Sequence, residues 1–369
     1  MEEKYFYAKS AETFLHPFLY AEEKDAVFVV GKDATPYLQG QLTKDVTKIA
    51  PGQTAEAFLL EPKGEISCFV SVKKADENRF LLTTEKGFGS VLLQRLEKFK
   101  IRIKADLVRE RALSLLVFYA DSDRDLPLLC DAHAVYMNNR LAVLAESTKY
   151  GSFPGLSDVK DYVGKSSLWR DLSVREILVP GFGGDAFPGF AGEKSLKAVG
   201  DFATKHRFIG ENEYNFLRIC HGIPKMGFEI KDKVLPPALG ITDAVIDYDK
   251  GCYTGQELVA RLDARGNNIP VSLKVLVLDK TGMPGGSVSG PKFHTGAPVF
   301  VGDKPAGTLS SVAHFENSEV GLGFIKREFL NESSVLLAPA AGDLLGTGNL
   351  KAGIYDAPVS PFPEGIFGS

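Results

Sequence analysis

Beyond Gly266 the chain reads as a series of short alternating strands, and this texture narrows its architecture more than any other feature. Val271, Leu273, Val275 and Val277 alternate through VSLKVLVLD with the two-residue period of a strand. PVFVGD, AGTLSSVA and VGLGFIK follow at close spacing, separated by glycine-rich turns. Such strands pair antiparallel, and a small barrel or sandwich from about Asn267 to Tyr355 would hide their edges. The proline-rich tail APVSPFPEGIFGS is expected to be extended.

The residues before Gly266 mix both periodicities. After an aromatic lead-in over the first twenty residues, VFVV reads as a strand, and Asp33 or Thr35 can cap a short helix with Pro36 in its first turn. EAFLL and ISCFVSV read as strands flanking a turn at Pro62, Lys63 and Gly64, and RFLLTT follows. Phe88, Leu92, Leu96 and Phe99 then line one face of a helix, with IRIK as a strand after it. A second unit opens at LSLLVFY and runs through 140–145 into a loop-rich region, 151–192. NEYNFLRICHGIPKMG predicts a helix with Phe216 and Ile219 or Cys220 on one face, ending before Gly222 and Pro224. Strands and helices in this order indicate an α+β layer structure.

At 369 residues the chain exceeds what one core usually supports, so two or three domains are expected. Its 44% hydrophobic and 24% charged residues describe an ordinary globular protein, and no apolar run approaches a membrane span. The start MEEKYFYAKS has neither the apolar core of a signal peptide nor the arginine-rich character of a transit peptide, so a cytoplasmic location is expected. A net charge of −4 gives no global drive toward nucleic acid, though it leaves room for a local basic patch. Cys68, Cys130, Cys220 and Cys252 are scattered without a C-x-x-C pair, as expected for reduced thiols. The six histidines, at 16, 133, 206, 221, 294 and 314, show no H-x-x-x-H spacing, and adjacent Cys220 and His221 would diverge on a helix, so no metal is assigned. GFGGDAFPGFAGEKS (181–195) suggests a phosphate loop, but Glu193 separates its last glycine from Lys194, which favours a surface loop.

The remaining candidate is KGCYTGQE, at 250–257. Thr254 and Glu257 have the spacing of a capping box, which predicts a helix starting here, with Leu258 and Leu262 on its apolar stripe and Gly266 ending it. Cys252 would then lie just ahead of a helix N-terminus with Lys250 beside it, conditions that favour a thiolate. The alternative is a buried cysteine acting as a small hydrophobe.

KGCYTGQE resembles the signature of the YgfZ family, folate-binding proteins implicated in iron–sulfur cluster assembly and transfer-RNA modification and related to the glycine-cleavage T protein, an aminomethyltransferase. GKDATPYLQGQLTKDV (31–46), EPKGEI (61–66), LRICHGIPKMG (217–227) and AGTLSSVAHFENSEVGLGFIKRE (306–328) resemble further family segments in the expected order. The resemblance implies an α+β, T-protein-like ring of three units: a first α+β unit at 21–112, a second carrying the cysteine box at 113–265, and a C-terminal antiparallel β-barrel at 266–356, with extensions at 1–20 and 357–369. It implies tetrahydrofolate in the central hole, with Tyr214, Arg218, Lys250 and Gln256 as candidate contacts. Cys252 is implied at the rim of that pocket, near the bound cofactor, as the active thiol, acting as nucleophile, redox group or transient ligand. Folate, iron–sulfur client or assembly proteins and transfer RNA are the implied partners of a monomer, and no membrane is expected. The alternative is one-carbon transfer of the aminomethyltransferase type. Four positions depart from what the resemblance implies: Cys220 replaces a glutamate, Lys24 an aromatic residue found in some relatives, and Ser67 and Cys68 stand where T proteins place acidic residues that hold the amine.

Overall fold

A computed structural model describes residues 18–51, 53–119, 163–166, 168–169, 173–180, 207–266, 268–278, 294–315, 318–337 and 350–359. Cys130, His16, His133, His206 and the segments 140–145 and 181–195 lie outside the described residues.

Strand β1 (Phe18–Val30) is the spine of the larger sheet. It pairs antiparallel with β4 (Arg79–Glu85) on one side and β5 (Asp106–Tyr119) on the other, so that Val27 faces both Leu82 and Arg109. With β2 (Thr54–Leu60), β3 (Ile66–Asp76), β6 (Val163–Lys165) and β7 (Ser173–Pro180) the order is β2-β3-β4-β1-β5-β7-β6, and the short β8 (Arg207–Phe208) pairs parallel with the start of β1. β5 runs straight through the unit boundary expected at 112/113, which joins the two α+β units in one sheet.

One face of this sheet is covered by α1 (Ala34–Gln39) and α2 (Gly89–Lys98). Leu92 and Leu96, one turn apart, are buried against Val27, Val29, Phe58 and Phe80, each contributing about 2 kcal/mol of apolar burial. The expected caps of α1 are absent. Asp33 accepts the Lys104 N–H at 2.8 Å, and the Thr35 hydroxyl donates to the Glu77 carbonyl at 2.5 Å, so tertiary partners take both side chains. IRIK (101–104) is likewise not a strand. This connector crosses behind the end of β1, where Asp33 N–H bonds the Lys104 carbonyl at 3.3 Å, and Arg102 adopts a left-handed φ of 59°. Its backbone pairs with a loop instead of a ladder, and β5 begins only at Asp106.

The C-terminal part is a closed antiparallel barrel, as its alternation predicts: β9 (Val271–Leu278), β10 (Pro298–Val301), β11 (Lys304–Phe315), β12 (Ser318–Lys326), β13 (Ser334–Leu337) and β14 (Leu350–Tyr355), ordered β10-β11-β12-β9-β14-β13. β9 is buried on both faces over its second half. Leu276 and Leu278 fill the barrel, whereas Val275 and Val277 pack outward on α3 (Glu211–Cys220). Helix α3 is therefore a wedge. Tyr214 and Leu217 face the sheet, and Phe216, Ile219 and Cys220 face the barrel, as expected for a helix apolar on more than one side. Two shorter helices, α4 (Thr242–Val245) and α5 (Gln256–Asp263), lie between α3 and the barrel in sequence.

Candidate functional site

Cys252 is exposed, on the loop that leads into α5. The other two described cysteines differ: Cys68 and Cys220 are buried, and burial pushes the Cys68 thiol up to about 12 and the Cys220 thiol well above its ordinary range. Of the two readings of Cys252, the buried hydrophobe is excluded.

Two separate stretches, 39–45 and 61–64, hold its loop. Lys250 is 6% exposed, and its ammonium donates to the carbonyls of Gln39, Leu42 and Lys44 at 2.8, 2.6 and 2.9 Å. Burial lowers its pKa to about 8, against the opposing pull of Asp45 and Asp247. Thr254 N–H bonds the Gly40 carbonyl at 3.1 Å, and Asp247 N–H bonds that of Thr43 at the same distance. The Asp247 carboxylate answers with the Asp45 N–H (2.8 Å) and the Lys44 ammonium (3.0 Å). GQLTKD (40–45) and KGCYTGQE are thus two halves of one structure. The turn at 61–64 closes it from the other side: Gly255 has a φ of 83°, and a Cβ there would stand 2.5 Å from the Glu61 carbonyl oxygen. Only glycine satisfies both conditions.

That left-handed turn overrides the capping box. Gly255 is the N-cap, no side chain caps the helix, and α5 starts at Gln256 rather than at Thr254. Glu257 reaches forward to Arg261 at 2.6 Å instead of back to Thr254. Tyr253, Thr254 and Gly255 therefore separate Cys252 from the helix, and the Lys250 cation is engaged within the loop 39–44 rather than turned to the thiol. Gly266 takes the expected left-handed conformation, with φ 67°.

A second feature lies between the sheet and α3. A cavity there is walled by Glu22, Lys24, Glu56, Glu176, Trp169, Tyr214 and Arg218, and a wider opening beside it is rimmed by Phe88, Phe228, Lys86 and Lys225. Glu176 is 8% exposed and receives the hydroxyls of Ser114 (2.6 Å) and Ser71 (3.2 Å); burial raises its pKa, with Lys24 opposing. Burial also works against the Lys24 ammonium, but Glu22 and Glu85 more than offset it and hold its pKa high.

Of the residues expected at the folate pocket, Tyr214 and Arg218 line this cavity, while Lys250, Gln256 and Cys252, expected at its rim, are not among its walls. Tyr214 stacks on Tyr20 with centroids 3.9 Å apart, so one ring face is already covered. Arg218 is 3% exposed and bonds Asn215, the Ile223 carbonyl, Glu229 and Ser311, tying α3 to the barrel. Cys220 packs into the apolar contact with the barrel. Glu176, Glu56 and Trp169 were missed by sequence reasoning, and each stands alone in the sequence without a motif around it. Among the described residues no His, Cys, Asp or Glu group of three or more is placed to hold a metal, and no helix is long and apolar enough to cross a membrane.

No family model matches the chain. It is 26% identical over 243 residues to a tRNA-modifying protein YgfZ of Hamiltonella defensa, covering 65% of this chain and 64% of that one. It is 23% identical over 245 residues to an aminomethyltransferase of Caldanaerobacter subterraneus, covering 65% and 60%. The match thus spans less than two thirds of the length of either relative. In structure the chain is similar to the glycine cleavage system aminomethyltransferase T from Bartonella henselae, with a TM-score of 0.66, 17% identity and coverage of 94% of this chain and 87% of that one, which shows the fold. By sequence the chain is related to the YgfZ proteins, and its fold, an α+β assembly closed by an antiparallel β-barrel, is that of the T protein.

Proposed function

We propose that the chain is a folate-linked accessory protein that supports iron–sulfur cluster assembly or repair, or transfer-RNA modification, with Cys252 as its working thiol. The observation that carries this reading is the exposure of Cys252 on a loop held by Lys250, Gly40, Thr43 and Glu61. A loop so firmly fixed around a solvent-facing thiol presents it in one position, as a group that must meet a partner requires. The sequence similarity to proteins named as tRNA-modifying supports RNA as part of that setting.

The central cavity suits a folate. Trp169, Leu116 and Phe69 offer apolar surface to a planar ring, Glu176 and Glu56 can accept ring N–H groups, and Lys225 and Lys86 at the opening suit a carboxylate tail. Tetrahydrofolate would supply carriage of one-carbon units. One-carbon transfer of the aminomethyltransferase type is the second reading, favoured by the fold. It lacks a positioned carboxylate where Cys68 instead sits buried 3.3 Å from the Thr84 hydroxyl.

The test is a Cys252→Ala variant as the sole copy in cells. Iron–sulfur enzyme activity should fall to the level of cells lacking the protein, while the purified variant melts like the wild type. Undiminished activity would overturn the assignment.

A further inference from the structure

From the last residue of α2 into the connector to β5 the chain reads KFKIRIK: Lys98, Lys100, Arg102 and Lys104 without one acid, in a chain whose net charge is −4. Arg102 and Lys104 are exposed and Lys100 is half-buried. Cations near a helix C-terminus often serve the helix itself, which explains Lys98, in the last turn of α2. Lys100, Arg102 and Lys104 lie beyond that turn, and among the described residues none has a carboxylate within ion-pair distance. The connector is also fixed in place. Asp33 binds the Lys104 N–H at 2.8 Å, and the Lys104 carbonyl packs so closely on Gly31 that a Cβ there would come within 2.3 Å. Exposed Lys32 lies on the β1–α1 turn that packs against this connector, which adds a further cation.

This ridge adjoins the cysteine loop. Lys98 pairs with Glu61 at 3.4 Å, the Glu61 carbonyl abuts Gly255, and exposed Lys63 lies on the turn between them. Several unpaired cations carried close together on an anchored backbone suit a chain of phosphates better than a single small anion. We infer that Lys100, Arg102 and Lys104, with Lys32 and Lys63 beside them, form a docking surface for the phosphate backbone of RNA that brings the RNA toward Cys252. The choice of RNA rests on the reading of the previous section.

The test is fluorescence-anisotropy binding of bulk transfer RNA to the full chain across a salt series. The wild type should bind with a strong salt dependence. The triple change Lys100→Glu, Arg102→Glu, Lys104→Glu should weaken binding by about tenfold to a hundredfold near 100 mM salt and flatten the log–log salt slope by about 2 to 3. The same charge change on the barrel, Lys304→Glu, Lys326→Glu, Lys351→Glu, should have far less effect. Replacement of the three connector cations by glutamine, with melting followed, separates lost contacts from lost fold. Equal losses in the two triple variants, or transfer RNA held no more tightly than duplex DNA, would overturn the inference. Absence of RNA binding together with a cellular defect in Cys252→Ala would sink this surface and leave the role of the thiol standing.

Discussion

The cysteine loop and the central cavity are built in opposite ways. The loop uses short contiguous stretches, 39–45, 61–64 and 250–257, joined mainly through backbone groups: three carbonyls on Lys250, amide-to-carbonyl bonds from Thr254 and Asp247, and a glycine against a carbonyl. The cavity uses single side chains from distant elements, Glu22 and Lys24 on β1, Glu56 on β2, Glu176 on β7, and Tyr214 and Arg218 on α3. A site made by backbone geometry tolerates little change, because each glycine and each buried donor is needed by the fold itself. A site made by side chains can change its ligand contacts one at a time. Lys24 is one of these replaceable cavity walls, whereas Cys220 packs on the barrel.

The sharpest way to break this contrast is at Lys250. Replacing it by Met leaves three buried carbonyls without a donor and should cost about 3 kcal/mol, read from urea melts. It should also change how stability varies with pH. The folded chain holds the Lys250 pKa at about 8, below its ordinary 10.5, so between those values the unfolded chain binds more protons and the contribution of Lys250 rises with pH. Lys250→Met should lose that rise. A variant as stable as the wild type would mean that Lys250 does not organise the loop.

Glu176→Gln should have a smaller effect, under about 1 kcal/mol near neutral pH, since the amide can keep a serine hydroxyl as donor. Its pH signature has the opposite sign. Burial raises the pKa of Glu176 in the folded chain, so the folded state binds more protons and its stability falls as pH climbs from the ordinary carboxylate range through the raised value. The variant should lack that fall in pH-dependent melts, and an identical pH profile would argue that Glu176 is not confined in the cavity.

The same difference explains what could be read from the chain alone. The barrel was legible because alternation and glycine turns are local signals, and α3 was legible from its apolar positions and the glycine and proline after it. The register in which GQLTKD meets KGCYTGQE is a tertiary fact, although both stretches stood out in sequence. The misread details share one cause. At Thr254, Asp33 and IRIK, a local pattern for a cap or strand was overridden by a distant backbone partner: Gly40 and Glu61, Lys104, and the loop after β1. β9 broke strict alternation because α3 covers the face that would otherwise meet water. Glu176 and Trp169 carried no local signal at all.

The two-site arrangement is tested most directly by calorimetric titration of tetrahydrofolate into the wild type, Tyr214→Ala and Cys252→Ala. The ligand should bind the wild type and Cys252→Ala alike and bind Tyr214→Ala at least about tenfold more weakly, since truncation removes the ring that closes one wall and stacks on Tyr20. Failure of the wild type to bind, or loss of binding in Cys252→Ala with Tyr214→Ala unaffected, would contradict the division into a folate cavity and a separate thiol loop.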